Sequence, residues 1–266
     1  MFGVKKKTKP EFNTPAIIDE IEAAVYAVVK PMGFRKHGRT LHRFVSGDIS
    51  QVINFQCGQA IRGDNHLMWV NIGIRVPECD LRSFQPENPL KKYCHEYDCT
   101  IRTRLGTVRG KAEAEYDLHK PTDKIIKDIL SQLQAYVLPV FDILNSREAI
   151  LEKRRDFPLF DTTNDHLILL EESMIYGRQG NIEKATERFN MHYQNELEEY
   201  RHECEHGEKM FLRKGQRVMY HNTKTGENET ITATKTGFVT LYGASRRHLD
   251  YLEKLASELG IELTVT

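Results

Sequence analysis

The chain has 266 residues, long enough for one large domain or two smaller ones, and 38 lysines and arginines balance 38 aspartates and glutamates. No net field draws it to nucleic acid or to anionic lipid. No apolar run approaches the roughly 18 residues of a membrane-spanning helix, and the opening stretch MFGVKKKTKPEF has no signal-peptide core. Five cysteines, odd in number and irregularly spaced, read as reduced thiols, so a cytoplasmic protein without membrane contact is expected.

A first helix is predicted from Thr14-Pro15, with Ile17, Ile18, Ile21, Val25, Val28 and Val29 on one face and Pro31-Met32-Gly33 as its stop. Three β-rich runs follow, RTLHRFVSGDISQVINFQ, HLMWVNIGIRV and CTIRTRLGTV, the first folded into a hairpin at Ser46-Gly47-Asp48. Glu78 to Tyr97, polar and proline-containing, is expected to be a long loop. Helical spacing returns at Ile125, Ile126, Ile129, Leu130, Leu133 and Val137, and Pro139 should kink or break it.

A charged, turn-rich stretch from Glu152 to Asp165 marks the expected boundary. Beyond it, Leu167, Leu170 and Met174 begin a helical hairpin that turns at Gly180-Asn181 and resembles one tetratricopeptide unit. QRVMYHN and ENETITATK form a second β-hairpin, GFVTLYG leads into a helix capped by Ser245, and IELTVT is expected to close a β-α-β unit. The fold class is therefore α+β: an antiparallel sheet with flanking helices over residues 1–151, a linker and helical hairpin over 152–214, and a small α/β unit over 215–266.

Chemistry is sparse. HECEH, residues 202–206, matches the H-E-x-x-H zinc motif, in which histidines at i and i+4 hold a metal and the glutamate activates its water. The inward stripe Ile182, Ala185, Phe189, Tyr193, Leu197, Tyr200, Cys204 decides against it. At 100° per residue, His202 and His206 lie about 160° from Cys204, on a solvated face. His202, Glu203 and His206 are therefore read as surface residues, and no metal or other cofactor is expected. Cys94, His95 and Cys99 resemble half of a metal site, but no second Cys/His pair completes it. Ser245, Arg246 and Arg247 at a helix start form a candidate anion site, because arginines in a first turn oppose the helix dipole unless an acidic group compensates.

Alternation in the strands offers a third surface. Val70, Ile72, Ile74 and Val76 share one face, and Ile101, Thr103 and Leu105 share another. The opposite face then carries Trp69, Asn71, Arg75, Arg102 and Arg104, with Arg43 and Asn54 assigned to it as well. Tryptophan and arginine dominate interface hot spots, so this is the candidate binding surface.

GFRKHGRTLHRF (33–44), QVINFQ (51–56), VNIGI (70–74) and CTIRTRLG (99–106), in that order, resemble the uncharacterised domain-of-unknown-function 4304 family over about residues 15–140. The segment GKAEAEYDLHK departs from the tryptophan-rich stretch associated with that family. The resemblance implies an N-terminal α+β module and brings no catalytic residues with it. The expectation is a non-enzymatic bacterial interaction protein, of the immunity or stress-response kind, whose partner is another protein. The alternatives are a zinc-dependent hydrolase through HECEH and a binder of nucleic acid or a phosphate ligand.

Overall fold

The computed structural model describes residues 12–58, 66–80, 92–110, 115–161, 163, 165–243 and 246–264. The chain divides into two compact units, Met1–Thr163 and Asn164–Thr266.

The first unit is an antiparallel sheet with helices on one face, as the alternation predicts. Helix α1 spans Thr14–Val29. Its cap is Asn13, whose side chain accepts the Ala16 N–H, one residue before the expected cap. Ile18, Ile21, Val25 and Val29 are buried, and Gly33 ends the element in a left-handed conformation, φ 95°. The sheet runs β1(Arg35–His37), β2(Thr40–Val45), β3(Ile49–Cys57), β4(Leu67–Arg75), β5(Ile101–Arg104), each strand antiparallel to the next. A two-residue strand β6(Tyr116–Asp117) joins the start of β4, beside the stretch that β5 pairs. At the β2–β3 turn Ser46 and Gly47 both take positive φ, 44° and 84°.

Register fixes the faces. Ile53 pairs with Ile72, Gln51 with Ile74 and Ile72 with Thr103, so the side chains of one parity face the helices. Asn54 pairs with Asn71, Gln56 with Trp69, Ser50 with Arg75, and Asn71 with Arg104; these share the other face. Helix α2(Thr122–Gln132) packs on α1 and passes through a π-helical turn, Leu133–Val137, into α3(Leu138–Ile143). Pro139 explains the widening. Its ring crowds the carbonyl four residues back, and the wider turn, with the Leu138 N–H reaching Leu133 O, lets the helix continue where a break was expected.

Helix α4(Arg147–Lys153) starts at Ser146, whose hydroxyl accepts the Ala149 N–H. From its first turn Arg147 grips Glu78 with two parallel bonds, 2.6 and 2.7 Å, and Asp48 at 2.9 Å. The ion pair holds the guanidinium charged and fixes the chain leaving β4.

The second unit holds the helical hairpin α5(Asp165–Arg178) and α6(Ile182–His206), which turns at Gly180, φ 77°. Ser173 donates to Ala185 O across the pair at 2.7 Å. Two antiparallel ribbons follow: β8(Arg217–Asn222) with β9(Glu227–Thr232), as expected, and β7(Glu208–Leu212) with β10(Gly237–Leu241). Strand β7 begins directly after α6 and was not foreseen. Helix α7(Arg247–Leu259) buries Leu249, Leu252 and Leu255 and stops at Gly260, φ 68°. The expected closing strand does not form over 261–264. There the backbone is tied to α6 instead: Asn190 donates to Glu262 O at 2.9 Å and accepts from Thr264 N at 2.7 Å, and Gln194 donates to Thr264 O. Side-chain amides thus meet the groups that a neighbouring strand would have paired. Among the described residues, no helix is long and apolar enough to cross a membrane.

Arg147→Met should destabilise the first unit by about 2–4 kcal/mol, because Glu78 keeps its charge and loses both bonds in a half-dry site. Urea unfolding of the two proteins checks this; a change below about 0.5 kcal/mol would mean that the clamp contributes nothing.

Candidate functional site

The sheet face opposite the helices is covered over part of its area. Two short 3-10 turns, Pro77–Cys79 and Glu96–Asp98, form the two ends of the stretch expected to be a long loop, and its residues 81–91 lie outside the described residues. Tyr93 lies against His37, His42 and Phe44 at ring-centroid distances of 4.4, 5.1 and 6.0 Å. Cys94 and Cys99 are buried with Val52. Cys99 sits where Gly73 has no side chain: a Cβ there would lie 2.5 Å from its sulfur. The Cys99 hydrogen bond pulls the Cys94 thiol down, helped by His42 and Arg75 against burial, while burial first and then Cys94 push Cys99 up.

Beyond this cover the same face opens into a cleft of about 430 Å³, whose walls include Gln56, Asn71, Glu96, Tyr97, Arg102 and Arg104. Asn71 forms the floor. Its amide donates to Asn54 Oδ1 at 3.2 Å, Gln56 Oε1 at 2.9 Å and Glu96 Oε1 at 3.3 Å, while Asn54 donates to Thr40 Oγ1 at 2.9 Å. Glu96 and Tyr97 arrive on the second 3-10 turn, which a reciprocal cap between His95 and Asp98 holds. Arg102 is exposed and donates to Tyr97 O at 3.3 Å. The Arg104 guanidinium lies over the Trp69 indole, 5.4 Å from its centroid.

The seven residues assigned to this surface divide. Trp69, Asn71, Arg102 and Arg104 belong to the cleft or its wall, and Asn54 is buried beneath Asn71. Arg75 shares the face but lies under the covering segment, 6% exposed and paired with Asp80 at 3.6 Å. Arg43 does not belong there. Its partner across the ladder is Gln51, so it points to the helical side, over Phe34 and bonded to Gln51 at 2.6 Å and Asp142 at 2.7 Å. Glu96 and Tyr97 were missed because no periodicity announces a covering loop.

In the second unit, His202 and His206 lie on the solvent side of the last α6 turns, rings stacked at 4.5 Å. His206 Nδ1 sits 3.2 Å from His202 O, and its side chain is 62% exposed. Of the candidate anion site, Ser245 lies outside the described residues. Arg246 meets Asp250 at 3.0 Å and Glu253 at 2.5 Å, so acidic groups of α7 itself offset its charge at the helix start. Arg247 opens α7 beside it.

One constellation went unseen in the sequence. His192 and Glu196, four residues apart on α6, meet His248 of α7, with ligand-capable atoms of all three within 4.8 Å of one another. Burial lowers His192 to about 4, outweighing the His166 backbone carbonyl, so its ring is neutral at physiological pH. The i, i+4 spacing was legible, but the third member lies on a helix whose packing the sequence does not show.

An antiparallel sheet backed by helices, with a polar, arginine-walled cleft on its other face, defines an α+β domain. Residues 25–143 match the model of the family described as domain of unknown function (DUF4304), which bears out the resemblance over that segment. Neither the curated proteins nor the solved structures contain a match to the chain.

Gly73→Ala should destabilise the first unit by about 1–3 kcal/mol, since the new methyl collides with Cys99 and the covering turn must move. Alanine elsewhere in a strand interior is favoured over glycine, so a stabilising result in thermal unfolding would rule out this close approach.

Proposed function

We propose that the first unit is a non-enzymatic binding module and that the cleft above β4 and β5 receives an acidic segment of another protein, in a cytoplasmic setting. The observation that carries this reading is the convergence of Arg102, Arg104 stacked on Trp69, and exposed Tyr97 around the Asn71 floor. Arginine, tryptophan and tyrosine are the side chains that give most binding energy at protein interfaces. A guanidinium held over an indole loses little further freedom when a carboxylate reaches it. Glu96, on the opposite wall, repels an acidic group placed off-centre and so favours one register. The chain's balanced charge supports a local ionic contact over the broad basic face that nucleic acid binding uses. Cysteines free of disulfides, Cys57, Cys94, Cys99 and Cys204, are in keeping with a reducing compartment.

Selection of random peptides displayed against the protein tests this directly. The expected peptides are rich in aspartate and glutamate, and Arg102→Ala with Arg104→Ala should weaken them about 10- to 100-fold, the worth of charge-assisted hydrogen bonds. Peptides without acidic enrichment, or binding that survives both substitutions, would discard the reading. Single-stranded RNA that binds more tightly than any peptide, with affinity falling steeply with salt, would put a nucleic-acid ligand in its place.

A further inference from the structure

His192 is unusual for a buried histidine. It is 2% exposed, and among the described residues neither ring nitrogen makes a well-formed hydrogen bond, although the His166 backbone carbonyl stands near enough to favour the charged ring. An imidazole taken out of water normally retains at least one such bond, because leaving its polar atoms unpaired is costly. Besides His166 of α5, what faces it is a carboxylate and a second imidazole. His192 Nδ1 lies 4.0 Å from Glu196 Oε1, and His248 Nε2 lies 3.5 Å from Glu196 Oε2. The two rings stand nearly perpendicular, 83°, with centroids 6.3 Å apart.

Exposure rises in order across the three side chains, from 2% at His192 to 23% at Glu196 and 52% at His248. The cluster is closed at its inner end and open at its outer end, which gives a small ion a path in. Histidine and glutamate one turn apart present their donors on one helix face. His248 comes from the first turn of α7, which packs on α6. Bonds of about 2.0–2.1 Å place donor atoms on a metal roughly 3.3 Å apart, so the present spacing closes by about an ångström through rotation of the two outer side chains.

We propose that His192, Glu196 and His248 bind one divalent transition metal of borderline softness, zinc being the natural probe, and that the ion fastens α7 to α6. Two imidazoles with one carboxylate suit such ions. Calcium and magnesium favour all-oxygen sets. The closest α6 thiol, Cys204, lies eight residues beyond Glu196, roughly 12 Å along the helix, so the set has no soft member. Three protein ligands leave a coordination position for water at the His248 side. The motif at 202–206 shares the helix and the i, i+4 spacing, but among the described residues it gathers no third ligand of this kind, and both its histidines are exposed.

The test is zinc titration of the whole chain, purified without chelator or affinity metal, in competition with a chromophoric chelator. Wild type is expected to bind one zinc with a Kd below about 10 µM, a modest affinity for a three-ligand protein site. His248→Ala and Glu196→Gln, both on partly exposed side chains that folding tolerates, should each weaken binding by at least about 100-fold, more than loss of an outer-shell partner does. The double variant His202→Ala/His206→Ala should bind as wild type. Saturating zinc should raise the melting temperature of wild type and of that double variant, and leave His248→Ala unmoved. A wild-type Kd above about 10 µM, unchanged binding in His248→Ala, or loss of binding in the 202/206 variant would each overturn the site.

Discussion

The first unit depends on one missing side chain. At Gly73, in the middle of the central strand β4, the sheet presents bare backbone, and Cys99 drops onto it so closely that a Cβ would meet both its sulfur and its own Cβ, at 2.5 and 2.7 Å. The contact brings residues 93–99 across the sheet. On one side of Gly73 it buries Cys94 against His42 and Arg75; on the other it delivers Glu96 and Tyr97 over Asn71. A face that would otherwise be wet and open becomes part core and part cleft. The Arg147–Glu78 clamp likewise fixes the chain where it leaves β4.

Inside the cleft, polar groups are satisfied in a chain rather than in pairs. Thr40, Asn54 and Asn71 pass hydrogen bonds along three adjacent strands, and Gln56 and Glu96 close the chain at the rim. A buried network of this kind fixes the floor in one conformation, because rotating any amide orphans two groups. The arginines at the rim are differently placed. They ride on an indole and on a backbone carbonyl, contacts that orient a guanidinium. A rigid neutral floor under oriented positive charge suits recognition of a carboxylate.

Much of this was written in strand parity. Alternation in WVNIGIRV and CTIRTRLG sorted Trp69, Asn71, Arg75, Arg102 and Arg104 to one face, and the ladders agree. Arg43 was misassigned because the register across β2 and β3 had to be supplied by a turn: with Val45 opposite Ile49, Arg43 falls opposite Gln51, on the helical side. The covering segment was invisible for a different reason. Tyr93, Cys94, Glu96 and Tyr97 follow neither a 2.0 nor a 3.6 repeat, and their positions come from contacts with Gly73, His42 and Phe44, more than twenty residues away. Pro139 shows a third kind of gap. Sequence says that a proline disturbs a helix, but only packing on α1 shows that a π turn absorbs the disturbance.

Helix α6 carries the same lesson about metal motifs in one element. Among its pairs of ligand-type residues at i and i+4 are His192 with Glu196 and His202 with His206. The second pair satisfies a named pattern and stands in water, where hydration competes with any ion and the rings stack on each other. The first matches no named pattern, yet one member is sealed from water and a third donor arrives from α7. Spacing on a helix supplies two donors at most; desolvation and a donor from another element turn them into a site. In this chain both conditions are met ten residues, roughly three turns, upstream of the motif that draws the eye.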